Sequence, residues 1–224
     1  VVIRGVQNQR WYTEGLTYLY NRGLNDTTIK TFSIMHFDGV KLYGYPETIS
    51  QPWIKEIREL LKTPHYKFRF ANTIISPILD LHGKYASIMV RHLGNRQPKF
   101  DSTPYDKTNI VFGLHETHQN ILWKNEVYVV EGLFDFYVLW QSGIHNCITS
   151  NGCNLTVPQV SLLARFCNKF NLVFDPDKAG RLNAVTVQKV IERAGVECRI
   201  INLKEKLDLD ELILKRGVQH FLKL

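Results

Sequence analysis

The sequence predicts an α/β protein: a mostly parallel sheet flanked by helices, preceded by a smaller mixed α+β subdomain. Three observations carry this reading. Residues 127–130 and 171–174 are short apolar runs closed at once by acids, the pattern of parallel strands buried on both faces. From residue 127 onward, strand-like and helical stretches alternate, which implies right-handed βα units. Before that point, helical spacing gives way to a hairpin pattern. The expected division is therefore 1–124 for the mixed part and 125–224 for the compact α/β part.

Each element has a local reason. Residues 11–22 place Leu16, Leu19 and Tyr20 at helical spacing and stop at Gly23, a suitable C-cap. Asn25 or Asp26 caps a short helix running through Phe32, and a polar and aromatic passage, 37–45, follows. Ser50 and Pro52 mark the next helix start, Trp53, Ile57, Leu60 and Leu61 form its apolar face, and Pro64 ends it. Residues 74–80 and 85–90 read as strands around a turn at Gly83, with Pro77 marking an edge or a bulge. A long loop over 94–108 precedes a helix over 114–123. Beyond the strand at 127–130, helices are expected at 134–141, 156–166, 179–194 and 208–216, with strands at 147–149, 171–174 and 198–203 between them.

The 224 residues are 44% hydrophobic and 22% charged, a globular composition. A net charge of +7 favours a polyanionic partner, nucleic acid before membrane. No apolar run approaches the ~20 residues needed to cross a bilayer, and the start has no signal-peptide pattern, so a cytoplasmic location is expected. Val1 in place of an initiating Met suggests processing or a fragment of a longer chain. Cys147, Cys153, Cys167 and Cys198 lack metal-type spacing and read as reduced core thiols, so no zinc is expected in this chain. His115 and His118 read as a solvated helix face.

The chemistry concentrates in acids that follow strands. Ligands of open α/β sheets bind at the carboxyl edge, where Glu131, Asp175 and Asp177 leave the two apolar runs. Gly132 permits a sharp turn from strand to helix, and Asp135 lies in the first turn beyond it. Asp208 and Asp210 repeat the i, i+2 spacing of Asp175 and Asp177. Each acid taken singly is also explained as a helix cap. Jointly they would repel unless a cation sits among them, and an oxygen-only site suits Mg²⁺ or Mn²⁺. Such a site in a basic protein points to phosphoryl chemistry. No G-x-x-x-x-G-K-[ST] or G-x-S-x-G motif is present, and Ser150-Asn151-Gly152 reads as a close-approach turn.

Glu131-Gly132 with Asp135, then Asp175-x-Asp177 followed by Ala179-Gly180-Arg181, resembles the TOPRIM domain shared by bacterial-type primases, topoisomerases and some nucleases. Tyr18-Leu19-x-x-Arg22-Gly23-Leu24, Pro77-Ile78-x-Asp80-x-x-Gly83, Pro98-Lys99-Phe100, Phe112-Gly113-Leu114 and Asp208-x-Asp210-Glu211 narrow the resemblance to the catalytic core of DnaG-type DNA primases. The resemblance implies synthesis of short RNA primers from ribonucleoside triphosphates on a single-stranded DNA template, leaving an RNA–DNA hybrid. It implies that Glu131, Asp175 and Asp177 are catalytic and hold divalent metal with Asp135, Asp208 and Asp210. It also implies that Arg22, Arg91, Lys99 and Lys107 contact nucleotide or template. A replicative helicase and a zinc-binding module supplied elsewhere are the implied partners, in a bacterial host or encoded by a phage or plasmid. The alternatives are a TOPRIM nuclease using the same acids and a non-enzymatic mediator that keeps the fold for binding. Two departures stand out: Pro176 where the family has Gly, and Arg69-Phe70-Ala71-Asn72-Thr73, which lacks two of the family's basic residues.

Overall fold

The computed structural model describes residues 13–151, 154–203 and 205–224. The expectations for Trp11, Tyr12, Gly152 and Cys153 lie outside these. The chain divides into two compact units: Val1–Pro77 with Ser87–Pro104, and Ile78–Ala86 with Tyr105–Leu224.

In the first unit, α1 (Glu14–Asn21) is capped by the Thr13 hydroxyl, which accepts from the Leu16 amide at 3.3 Å. Asn25 caps α2 (Asp26–Thr31), accepting from the Thr28 amide at 2.8 Å. Next come β1 (Met35–Phe37), β2 (Leu42–Tyr43), α3 (Pro46–Ile49), α4 (Ile54–Lys62) and α5 (Pro64–Arg69). The strands β3 (Thr73–Leu79), β4 (Tyr85–His92) and β5 (Phe100–Ser102) complete a five-stranded sheet of order β2-β1-β3-β4-β5. Leu16, Leu19, Ile29, Ile57, Phe70 and Ile75 are fully buried within this unit.

α4 ends at Lys62, ahead of Pro64 as expected, and Pro64 also starts α5, where its missing N–H has no helical acceptor to bond. Two local expectations are corrected here. The passages 37–45 and 94–108 each hold a strand, β2 and β5, too short for an alternating pattern to stand out. Pro77 lies inside β3, which has a neighbour on each side. It is tolerated because pairing with β1 stops at Ile75, opposite Met35, so the missing N–H removes no ladder bond on that side.

The second unit contains α6 (Leu114–Lys124), β6 (Val127–Val130), α7 (Leu133–Gln141), β7 (Cys147–Thr149), α8 (Val157–Leu163), β8 (Lys169–Val173), α9 (Lys178–Arg193), β9 (Glu197–Ile200), α10 (Leu209–Arg216) and α11 (Val218–Phe221). Its sheet is entirely parallel, in the order β7-β6-β8-β9. Alternate strand residues face opposite sides. Val127, Val129, Phe170 and Leu172 join Leu114, Ile121, Val160, Leu163, Val187 and Ile191 from α6, α8 and α9 in one buried cluster. On the other side Tyr128 meets Phe221 of α11, and α7 packs on α10. Residues 105–124, read from the sequence as the end of the first part, belong to this unit because Val111, Leu114 and Ile121 are in its core.

Cys147 and Cys167 are free and buried, and Cys198 is free and half-buried. Burial pushes the Cys167 and Cys198 thiols up to about 11, so they stay protonated.

Candidate active site

The site is built where β6 and β8 end. These strands pair in register, Val130 opposite Val173, so the residues that follow them leave the sheet at the same edge. The Glu131 carboxylate spans the two strand ends. One oxygen accepts from the Asp175 amide at 3.3 Å and the other from the Asn183 side-chain amide of α9 at 3.4 Å. The Thr149 hydroxyl donates to the Glu131 carbonyl at 3.0 Å, fixing the backbone on the β7 side.

Asp135, at the third position of α7, is buried and reaches back to accept from the Gly132 amide at 3.1 Å. Its other oxygen accepts from the Asp210 amide at 2.9 Å, tying α7 to the start of α10. A Cβ on residue 132 would come within 2.5 Å of Asp135 Oδ2. A side chain there would have to push the Asp135 carboxylate off the Gly132 amide, although the Gly132 φ of −96° is itself open to any residue. Asp177 caps α9, accepting from the Gly180 amide at 2.7 Å. Gly180 is constrained more severely: a Cβ there would stand 2.3 Å from the Asp175 carbonyl oxygen and 2.9 Å from its nitrogen, both backbone atoms. Arg181 donates to the Pro176 carbonyl, closing the loop between the two acids.

The acids act on one another electrostatically. Burial, then the charges of Asp210 and Asp208, push the Asp135 carboxyl up to about 7 against the hydrogen bonds it accepts. Burial also pushes Asp175 up to about 7, with Asp135, Asp208, Glu131 and Asp177 adding repulsion in that order. Among the described residues, no Lys or Arg forms an ion pair with Glu131, Asp135, Asp175 or Asp177.

The carboxylates of Glu131, Asp135 and Asp177 are meanwhile engaged by amides, and among the described residues no three His, Cys, Asp or Glu side chains are arranged to hold a metal ion. The donor set still fits a hard divalent cation, because it is all oxygen and its carboxylates crowd Asp135 and Asp175 with like charge. Asn183 was not singled out from sequence. An amide on an exposed-looking helix carries no signal that distinguishes it from a solvated residue.

The four basic residues are placed differently. Arg22 is the C-cap residue of α1. Arg91, on β4, donates to the Tyr18 hydroxyl at 3.2 Å and to the carbonyls of His92 and Lys99, and lies over the Tyr18 and Phe100 rings. Lys99 is exposed. These three are in the first unit, whereas Lys107 is in the second, its ammonium 5.6 Å from the Tyr105 ring centre.

A four-stranded parallel sheet with acids at this edge defines the class, and residues 128–213 match the Toprim-like family. Over nearly its whole length it resembles the catalytic core of DnaG-type DNA primases. It is 28% identical over 216 residues to the DNA primase of Clostridium acetobutylicum, covering 92% of this chain and 36% of that protein. A solved DnaG catalytic core superposes with a TM-score of 0.75 at 26% identity, covering 93% of this chain and 70% of that one. A DnaG primase catalytic domain bound to single-stranded DNA gives 0.74 at 26% identity, covering 93% and 69%. The chain thus spans little more than a third of the length of the curated relatives it matches. No described helix is long and apolar enough to cross a membrane.

Proposed function

We propose that this chain is the nucleotidyl-transferring core of a DNA primase, joining ribonucleoside triphosphates on a single-stranded DNA template to give a short RNA–DNA hybrid. The reaction is attack of a 3′-hydroxyl on an α-phosphate with release of pyrophosphate. The observation that supports it is the crowded oxygen-only edge formed by Glu131, Asp135 and Asp175 in a chain of net charge +7. The DNA-bound DnaG domain to which the chain is similar supports the template assignment.

Glu131, Asp175 and Asp177 would hold Mg²⁺ or Mn²⁺, with Asp135, Asp208 and Asp210 completing the acidic set. The cation, when bound, neutralises phosphate charge and activates the attacking hydroxyl. The Asp175 amide and Asn183 hold the Glu131 carboxylate at the edge, so little reorganisation is left for the moment of reaction. Residues 1–124 would supply template and nucleotide contacts through Arg22, Arg91, Lys99 and Lys107. Arg91 is held by its bond to Tyr18 and its place over two rings, so it would present a fixed cation to phosphate. A helicase and a zinc-binding module are the proposed partners, in the cytoplasm of a bacterial host.

The test is ribonucleotide incorporation on an unprimed single-stranded template with Mg²⁺. New RNA is expected, falling at least ~100-fold in Glu131→Gln or Asp175→Asn, since even outer-sphere partners of a metal reach that effect. Wild-type-like synthesis by either variant would overturn the assignment. Shortened DNA without RNA would indicate a nuclease.

A further inference from the structure

The parallel sheet of the second unit has two edges. At one, Phe112 makes an antiparallel bridge to Thr149 of β7. At the other, β9 pairs only with β8 among the described residues. From Val196 to Ile200 its residues alternate between half-buried and exposed, with Val196, Cys198 and Ile200 packed toward the core under α9 and Glu197 and Arg199 on the opposite face.

The hydrogen bonds fix which backbone groups point outward. The Glu197 amide donates to the Asn168 carbonyl at 3.0 Å and the Ile201 amide to the Leu172 carbonyl at 2.8 Å. In a strand, alternate residues turn their backbone groups to the same neighbour, so Glu197, Arg199 and Ile201 serve β8. Cys198 and Ile200 therefore direct theirs away from the sheet, where no described strand meets them. Such an edge is a template for another strand unless charge protects it.

The charges on β9 do not protect it against its own copy. Glu197 and Arg199 have opposite signs and stand two residues apart on one face. If a second β9 runs antiparallel with Cys198 opposite Cys198 on a two-fold axis, the outward backbone groups of the two Cys198 residues meet, and Glu197 of each copy stands opposite Arg199 of the other. Side chains directly opposite in such a pair are ~4.5–5.5 Å apart at Cβ, close enough for an ion pair. Registers centred on Glu197 or Arg199 set like charges together, and one centred on Ile200 pairs neither. Both partners are available: Glu197 forms no ion pair among the described residues, and Arg199 spends one nitrogen on the Leu224 carbonyl at 3.0 Å.

The surroundings fit the same register. Val196 of one copy falls opposite Ile200 of the other, apolar against apolar. Ile200 borders a cavity of about 160 Å³ whose walls include Ala184, Val185, Ile201 and Leu203, and Val185 is 43% exposed there. A strand laid along β9 would cover this apolar mouth. Because α9 packs over β8 and β9, the α9 helices of two copies would run side by side about two strand spacings apart, ~10 Å, the ordinary distance of packed helices.

We propose that β9 is a homodimerisation edge: two copies pair their β9 strands antiparallel about Cys198 and join their four-stranded sheets into one. The contact is isologous and closes at two copies. It is independent of the nucleotidyl-transfer reading.

Sedimentation velocity of the full chain over a concentration series, with hydrogen exchange of the β9 amides, tests the proposal. The wild type is expected to pass from monomer to dimer as concentration rises. The Cys198 and Ile200 amides are expected to exchange more slowly in the dimer, and those of Glu197 and Arg199, already bonded to β8, to change little. Glu197→Arg and Arg199→Glu are each expected to weaken association at least ~4-fold, because each removes two symmetric pairs and sets like charges opposite. The double variant restores opposite signs across the axis and is expected to recover the wild-type association. Both side chains are exposed, so these changes leave the fold intact. A monomer at every concentration, a dimer indifferent to both single reversals, no recovery in the double variant, or growth beyond two copies would each overturn the proposal.

Discussion

The acidic edge of the second unit and the Arg69–Asp101 pair of the first treat charge in opposite ways. At the edge, Asp135 and Asp175 are crowded by other carboxylates, and Asp135 is held by two backbone amides. In the pair, Asp101 is met by a two-pronged guanidinium. Burial would push its carboxyl up, yet the Arg69 hydrogen bonds and the Ser102 amide bring it below the usual range. Compensated charge stabilises the fold, whereas like charge crowded together opposes folding until a cation arrives. The two regions therefore respond to pH and to substitution with opposite signs.

The sharpest way to break the edge is steric. In Gly180→Ala the new methyl would strike the Asp175 backbone, and nothing flexible is there to give way. A loss of about 2 kcal/mol or more in urea unfolding is expected, in the range of overpacking, together with weakened divalent-cation binding. An unchanged midpoint would show that α9 can move off the β8 end.

The next effect is the pH dependence of the metal-free protein. Asp135 and Asp175 have folded-state values raised from 3.8 to about 7. The folded state therefore binds protons more tightly than the unfolded chain. Their contribution to stability is fully present below about 4 and is lost as pH rises through about 7. The melting temperature should fall over that window, and Mn²⁺ should restore it above pH 7. A melting temperature flat from pH 4 to 8 with and without Mn²⁺ would mean that the acids are not coupled.

Asp101 gives the smaller effect of opposite sign. Its folded value is lowered, so its contribution is present above the unfolded value near 3.9 and is lost as pH falls through the folded one. Asp101→Asn should cost about 1 kcal/mol at pH 7, discounted because the Arg69 side chain is 35% exposed. As pH falls below the folded value the difference should shrink toward zero. Smallest of all, Lys62→Ala should stay within about 0.5 kcal/mol, because its pair with Glu59 is exposed on both sides.

Much of the second unit was legible in the sequence. The strands β6 and β8 are continuous apolar runs, and the glycines and acids that end them stand at fixed offsets that only a strand-to-helix turn satisfies. The first unit was less legible. Strands of two or three residues, such as β2 and β5, are too short to show a period, and their existence depends on the neighbours that pair with them. Asn183 carries no sequence signal because it acquires its role from a partner far along the chain, Glu131. Pro64 closes α4 as its sequence position indicates, but that it also starts α5 shows only once the turn between the two helices is known.

The central claim is that Glu131 and Asp175 form the core of a divalent-cation site, and Mn²⁺ titration followed by electron paramagnetic resonance at pH 8 tests it most directly. The account predicts bound Mn²⁺ in the wild type, with affinity falling more than ~10-fold in Asp175→Asn and in Glu131→Gln while circular dichroism stays unchanged. Absence of bound Mn²⁺, or equal affinity in all three proteins, would contradict it.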